Sequence, residues 1–134
     1  MLENKWALIV ENDAHSLVAI SSILRDLGIS FKRNTTGAKV LEQLRSMNPL
    51  PDFILLSIDL PHGDGFAVNR MIKSDPTLRR IPVIALGLVD TYSLRQQVRH
   101  AHFAGYFCKP LPRRLFGGML QRILKGEHIW EAYS

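Results

Sequence analysis

Five short strand-length stretches, three of them unbroken apolar runs, punctuate this chain, and a helical pattern follows each of them. Ala7 to Val10 is continuously apolar, as are Phe53 to Leu56 and Pro82 to Leu86, and none is long enough for a helix of its own. Unbroken apolarity over strand length marks strands buried on both faces, the habit of parallel sheets. Ile29 to Arg33 and Tyr106 to Cys108 complete the set of candidate strands. Between them apolar residues recur at three- and four-residue spacing. The first helix takes Asp13 as its cap and Leu17, Ile20, Leu24 and Leu27 as its stripe, and Gly28 ends it. Thr35 or Thr36 is expected to cap a second helix, with Val40, Leu41, Leu44 and Met47 inward. Asp64 caps a third, with Val68, Met71 and Ile72 inward. Leu94, Val98 and Ala101 mark a fourth. Leu115, Met119, Leu120 and Ile123 mark a fifth after Pro112, stopped at Gly126. Strands alternating with helices imply right-handed crossovers and helices on both faces of a parallel sheet.

The chain reads as one domain over residues 1–126, with 127–134 as a tail or the start of a linker. A chain of 134 residues buries roughly two-thirds of its unfolded surface and needs no covalent staple. No apolar run approaches the ~20 residues of a membrane span, and the start Met-Leu-Glu-Asn-Lys has no secretory pattern. The single Cys108 cannot form an internal disulfide, so a reducing, cytoplasmic setting is expected. The net charge of +5 is unevenly placed. Residues 1–87 carry ten Lys/Arg against nine Asp/Glu, whereas residues 88–126 carry seven against Asp90 alone. Such a basic third can face an acidic protein or nucleic acid, or simply be a solvated face.

Chemistry is expected at the carboxyl ends of the strands. The third run leads there into Ser57, Asp59 and a turn containing Pro61, Gly63 and Gly65. No metal-spaced cluster of His and Cys, no glycine-rich phosphate loop and no nucleophile–base pair is evident, so no enzyme activity is expected. His15, His62, His100, His102 and His128 are scattered.

The stretch Leu55-Leu56-Ser57, with Pro61 and Gly65 at fixed offsets, resembles the third strand and loop of response regulator receiver domains. Together with Lys109-Pro110, it carries the resemblance over about residues 5–125. The resemblance implies a flavodoxin-like α/β/α sandwich with a five-stranded parallel sheet in the order 2-1-3-4-5. It also implies a cis Lys109-Pro110 bond.

Measured against the family pattern, the reactive positions have changed. The phosphoacceptor aspartate is Ser57. The acidic pair that binds a divalent cation is Glu11 and Asn12, and the hydroxyl after the fourth strand is Gly87. The family lysine is present as Lys109, expected here to form an ion pair with Glu11. The switch aromatic is Tyr106, expected as a contact residue on the surface of the fourth helix, fifth strand and fifth helix. The resemblance therefore implies a pseudo-receiver in two-component signalling. It would bind a histidine kinase or output protein, or a second copy of itself, through that face. Arg95, Arg99, Tyr106, Arg113, Arg114 and Arg122 are the candidate contacts. No cofactor is expected. One alternative keeps phosphotransfer with Mg²⁺, with Glu11 and Asp59 as weak metal candidates and Asp59 or Asp13 as a displaced acceptor. Asp59 is expected to turn its side chain away from the pocket. Another alternative makes the basic third a nucleic-acid surface, against which no DNA-binding domain follows residue 126. A stand-alone receiver and a piece of a longer regulator remain equally open.

Overall fold

The structure, a computed structural model, describes residues 2–61 and 64–130. The five strands are β1 (Trp6–Val10), β2 (Ser30–Asn34), β3 (Phe53–Ser57), β4 (Val83–Gly87) and β5 (Gly105–Cys108). The helices are α1 (Ala14–Asp26), α2 (Val40–Ser46), α3 (Gly65–Lys73), α4 (Tyr92–His100) and α5 (Arg113–Leu124). All strand pairs are parallel, in the order β2-β1-β3-β4-β5. This is the flavodoxin-like three-layer arrangement.

Strand periodicity divides the core. Ala7, Ile9, Phe53, Leu55, Ile84, Leu86 and Phe107 join α1 and α5 in one apolar cluster. Their neighbours Leu8, Val10, Ile54, Leu56, Val83, Ala85 and Tyr106 join α2, α3 and α4 in the other. Side chains alternate along a strand, so both sets must be apolar, which is why the strands read as unbroken runs.

The caps explain where the helices start. Asp13 accepts from the Ser16 N–H and Asp64 from the Ala67 N–H, at 2.8 and 2.7 Å. Thr91, which the sequence pattern does not single out, accepts from the Leu94 N–H at 3.1 Å. The expected caps of α2 are corrected. Thr36 accepts from Ala38 within the preceding turn, and α2 begins after Lys39 in a left-handed conformation with no side-chain cap. Two inward assignments are also corrected. Met71 and Leu115 are 54% and 50% exposed, and the buried positions beside them are Asn69 and Phe116. Asn69 tolerates burial because its amide donates to the Ala101 carbonyl at 2.8 Å, tying α3 to the end of α4.

Contacts of the fold continue past residue 126. Ile129 is buried and forms a parallel bridge with Gly105, its carbonyl accepting the Tyr106 N–H at 2.9 Å. Segment 127–130 thus covers the β5 edge, a row of backbone groups that would otherwise be unpaired. His62, Gly63 and residues 131–134 of the tail lie outside the described residues.

Candidate functional site

The carboxyl ends of β1, β3 and β5 bring Glu11, Ser57 and Lys109 together. Their registers match: Val10 pairs with Leu56 across β1 and β3, and the Lys109 N–H donates to the Gly87 carbonyl at 2.8 Å. Glu11 is fully buried. Its Oε1 meets Lys109 Nζ at 2.7 Å, and its Oε2 accepts the Asp13 N–H at 3.0 Å. Lys109 is itself only 8% exposed along its side chain. A carboxylate this deep requires a counter-ion and hydrogen bonds, and it has both. The peptide bond Lys109-Pro110 is cis, as is Asn48-Pro49.

Ser57 is fully buried at the end of β3. Its Oγ lies 3.4 Å from the Asp59 carbonyl and 3.3 Å from the Asp59 N–H, which donates to it. Both are weak bonds to its own loop. Among the described residues no basic side chain is hydrogen-bonded to the hydroxyl, so nothing in place raises its nucleophilicity. The backbone here is tightly pressed: a Cβ on Gly65 would come within 2.4 Å of the Ser57 carbonyl oxygen, so α3 can start where it does only with glycine.

Asn12, Asp13 and Asp59 are exposed. Asp13 is occupied as the α1 cap, and the Ser16 N–H it accepts from is the main cause holding its carboxyl below the usual range. Among the described residues no three His, Cys, Asp or Glu side chains converge as a metal cluster.

On the other face of the sheet, Gly87 and Tyr106 form a second unit. Tyr106 is 2% exposed and its hydroxyl donates to the Val89 carbonyl. A Cβ on Gly87 would stand 2.2 Å from that hydroxyl oxygen and 2.9 Å from the ring. The glycine therefore does more than lack a hydroxyl. It leaves the volume that the tyrosine tip fills. The apolar loop residues Leu88 and Val89 are left 65% and 54% exposed above it.

The response regulator receiver domain family matches residues 7–121. The chain is a response regulator receiver domain. Over 107 residues it is 29% identical to the polar-differentiation response regulator DivK of Brucella ovis, covering 80% of this chain and 85% of that one. Over 104 residues it is 32% identical to the two-component response regulator-like APRR1 of Arabidopsis thaliana, covering 78% of this chain but spanning only 17% of that protein. A putative response regulator from Chloroflexus aurantiacus shares the fold, with a TM-score of 0.82 at 23% identity over 90% of this chain and 98% of that one. The receiver domain of the sensor histidine kinase PA1611 from Pseudomonas aeruginosa, solved with a magnesium ion in its active-site cleft, gives 0.80 at 27% identity over 91% and 98%.

Three of the receiver's expected contact residues are already engaged in ion pairs. Arg113 turns toward α1, where it pairs with Asp26 at 2.6 Å and bonds Ser22 at 3.0 Å. Arg95 pairs with Asp90 at 3.4 Å, and Arg122 with Glu127 at 3.0 Å. Arg99 and Arg114 are exposed, whereas Tyr106, expected at the surface, is buried. The sequence reading missed the Val89 carbonyl, because a backbone acceptor leaves no mark in residue type. It also missed an apolar hollow of about 300 Å³ beside Lys109, between His15, Ala19, Leu88 and Leu111. The apolar pair Leu88-Val89, just past β4, was the available signal.

Proposed function

We propose that this receiver signals without an aspartyl phosphate, as a pseudo-receiver that binds a protein partner, a histidine kinase or an output protein. One observation carries the reading: Glu11, the one buried carboxylate of the pocket among the described residues, already has both oxygens engaged, one by Lys109 and one by the Asp13 N–H. A hard divalent cation needs several oxygen ligands, usually including carboxylate. Here it would have to displace an ammonium from Glu11 and would find a neutral hydroxyl, Ser57, in place of a second charge. The pocket residues as arranged do not fit Mg²⁺. Lys109 acts as a structural counter-ion that holds the β1 and β5 ends together.

The inward Tyr106 supports the same reading. With Gly87 opening room for its hydroxyl, the ring rests in one position with no phosphoryl group needed to hold it there. The face of α4, β5 and α5 would then be presented in one fixed form, with Arg99 and Arg114 as its available cations. A homodimer through that face belongs to the same proposal.

Amide NMR in millimolar Mg²⁺, followed by beryllofluoride, tests it. Resonances of Glu11, Ser57 and Lys109 are expected to stay in place, and so is that of Tyr106. Saturable shifts at these residues that spread to Tyr106 would sink the reading, and replacing Asp59 and then Asp13 would identify the rescuing carboxylate.

A further inference from the structure

The opposite end of the sheet holds a second, differently charged site. Where α3 ends, β4 begins and segment 127–130 crosses β5, a cavity of about 460 Å³ opens between Lys73, Arg80, Arg99, His102, His128 and Trp130. That volume lies within the roughly 300–1,000 Å³ of small-molecule pockets. Among the described residues, none that lines it is a carboxylate. Among the described residues neither Arg80 nor Arg99 has an acidic partner within ion-pair distance, unlike Arg45, Arg95, Arg113 and Arg122.

Lys73 shows most directly what is missing. It is half-buried, and its Nζ donates to the carbonyls of Arg79 and Ile81 at 3.0 and 2.9 Å. An ammonium has three donors, so one remains. Burial without a counter-charge pushes its pKa below the ordinary lysine value. A cation held in place by two neutral carbonyls, in one cavity with two guanidiniums that have no acidic partner among the described residues, has the donor arrangement of an anion receptor. Phe103 and Ile123 supply an apolar floor, and the tilted His128–Trp130 pair, with ring centroids 5.4 Å apart, supplies flat surface at the rim.

We infer that this cavity binds a phosphate-bearing small molecule, with Lys73, Arg80 and Arg99 holding the phosphate. The inference is independent of whether the Ser57 pocket accepts a phosphoryl group, since the two lie at opposite ends of the sheet. It also offers a route to the signalling face. The segment carrying His128 and Trp130 is hydrogen-bonded at Ile129 to the backbone of Tyr106, so a ligand that fixes the segment acts on β5 directly.

The test is an amide and indole NMR titration at constant ionic strength, once with inorganic phosphate and once with guanosine monophosphate. The Trp130 indole reports on the site. The Trp6 indole, bonded to the Pro49 carbonyl at 3.0 Å, serves as control. Saturable shifts at residues 80–82, 99–104 and 126–130 are expected, with Kd below ~1 mM. Arg80→Ala and Arg99→Ala, both at exposed positions, are each expected to weaken binding about ten-fold with an unchanged thermal midpoint. Equal affinity for the two probes assigns the site to free phosphate. Tighter nucleotide binding that Trp130→Ala abolishes assigns it to a nucleotide stacked on the indole. Linear shifts in both titrations, shifts equally large at Lys32 and Arg33, or affinity unchanged in the arginine variants would each overturn the proposal.

Discussion

At the carboxyl end of the sheet the buried carboxylate of Glu11 sits 2.7 Å from its counter-ion, Lys109. At the amino end the half-buried ammonium of Lys73 meets, among the described residues, the carbonyl oxygens of Arg79 and Ile81. The first arrangement is closed: each charge is neutralised from within the chain, and nothing further is called for. The second is open, with a cation desolvated and its counter-charge missing. Where a receiver pocket would carry a surplus of carboxylates waiting for a cation, this chain carries a matched pair. Its surplus lies at the other end and has the opposite sign. The contrast is one of charge balance, and family landmarks alone do not distinguish a neutralised pair from a cation with no acidic partner among the described residues.

The largest expected effect tests the closed end. Lys109→Met leaves Glu11 buried and unpaired, a loss of about 3–5 kcal/mol. Lys73→Met removes a cation that has no counter-ion. It gives up two hydrogen bonds to carbonyls but relieves a desolvation cost, so a net loss of about 1 kcal/mol is expected. Urea unfolding of the two variants side by side measures both. Equal losses would break the comparison, since they would mean that Lys73 has a strong partner after all. If Glu11→Gln in the Lys109→Met background restores most of the loss, the pair is isolated in the way described.

Gly87→Ala comes next. Its new Cβ would stand 2.2 Å from the Tyr106 hydroxyl oxygen. Overpacking of this kind costs about 1–3 kcal/mol, and the ring must leave its site or the loop carrying Val89 must move. Tyr106→Ala alone is destabilising by the cavity it leaves. Combined with Gly87→Ala it should cost less than the two single losses added together, because the clash has gone. A double-mutant cycle by chemical denaturation, with the Tyr106 backbone amide followed by NMR, gives the coupling. Additive losses would show that glycine at this position is not what admits the tyrosine.

Most of the fold was legible because it rests on periodicity. Unbroken apolar strands dictated a sheet covered on both faces, and Asp13 and Asp64 marked helix starts by their chemistry. The misses lie in helix phase and in capping. Leu115 and Phe116, one position apart, differ by 100° around the helix, so a small error in phase swaps them, and Met71 sits just off the buried stripe of α3. The start of α2 has no side-chain cap for a sequence pattern to find. Of the candidate site, Glu11, Ser57, Gly87 and Lys109 were legible through the family pattern. The consequence of Gly87 was not, since an absent side chain shows its use only when a neighbour is seen filling the space. The basic cavity was also hidden. Lys73, Arg80, Arg99 and His128 lie on four separate segments, and only the crossovers and the fold-back at Ile129 bring them together.

The smallest effect concerns Asp13, the carboxylate beside the closed end that could belong either to the pocket or to the helix. Its largest interaction is with the Ser16 N–H, which holds its carboxyl below the ordinary aspartate value. A carboxyl with a depressed native pKa adds stability above its unfolded pKa. That stability is lost as pH falls through the native value. Asp13→Asn keeps the cap acceptor and removes the titration. The urea midpoint of the variant should therefore fall less than that of the native chain between about pH 5 and pH 2. At neutral pH the Glu11–Lys109 pair should stay in place, with only a small shift of the Lys109 amide from the loss of the minor attraction between Asp13 and Lys109. A shift at Lys109 as large as that caused by breaking the ion pair in Glu11→Gln would mean that the carboxylate serves the pocket. The closed end would then carry one more negative charge than the ion pair accounts for, and a cation there would regain a reason to bind.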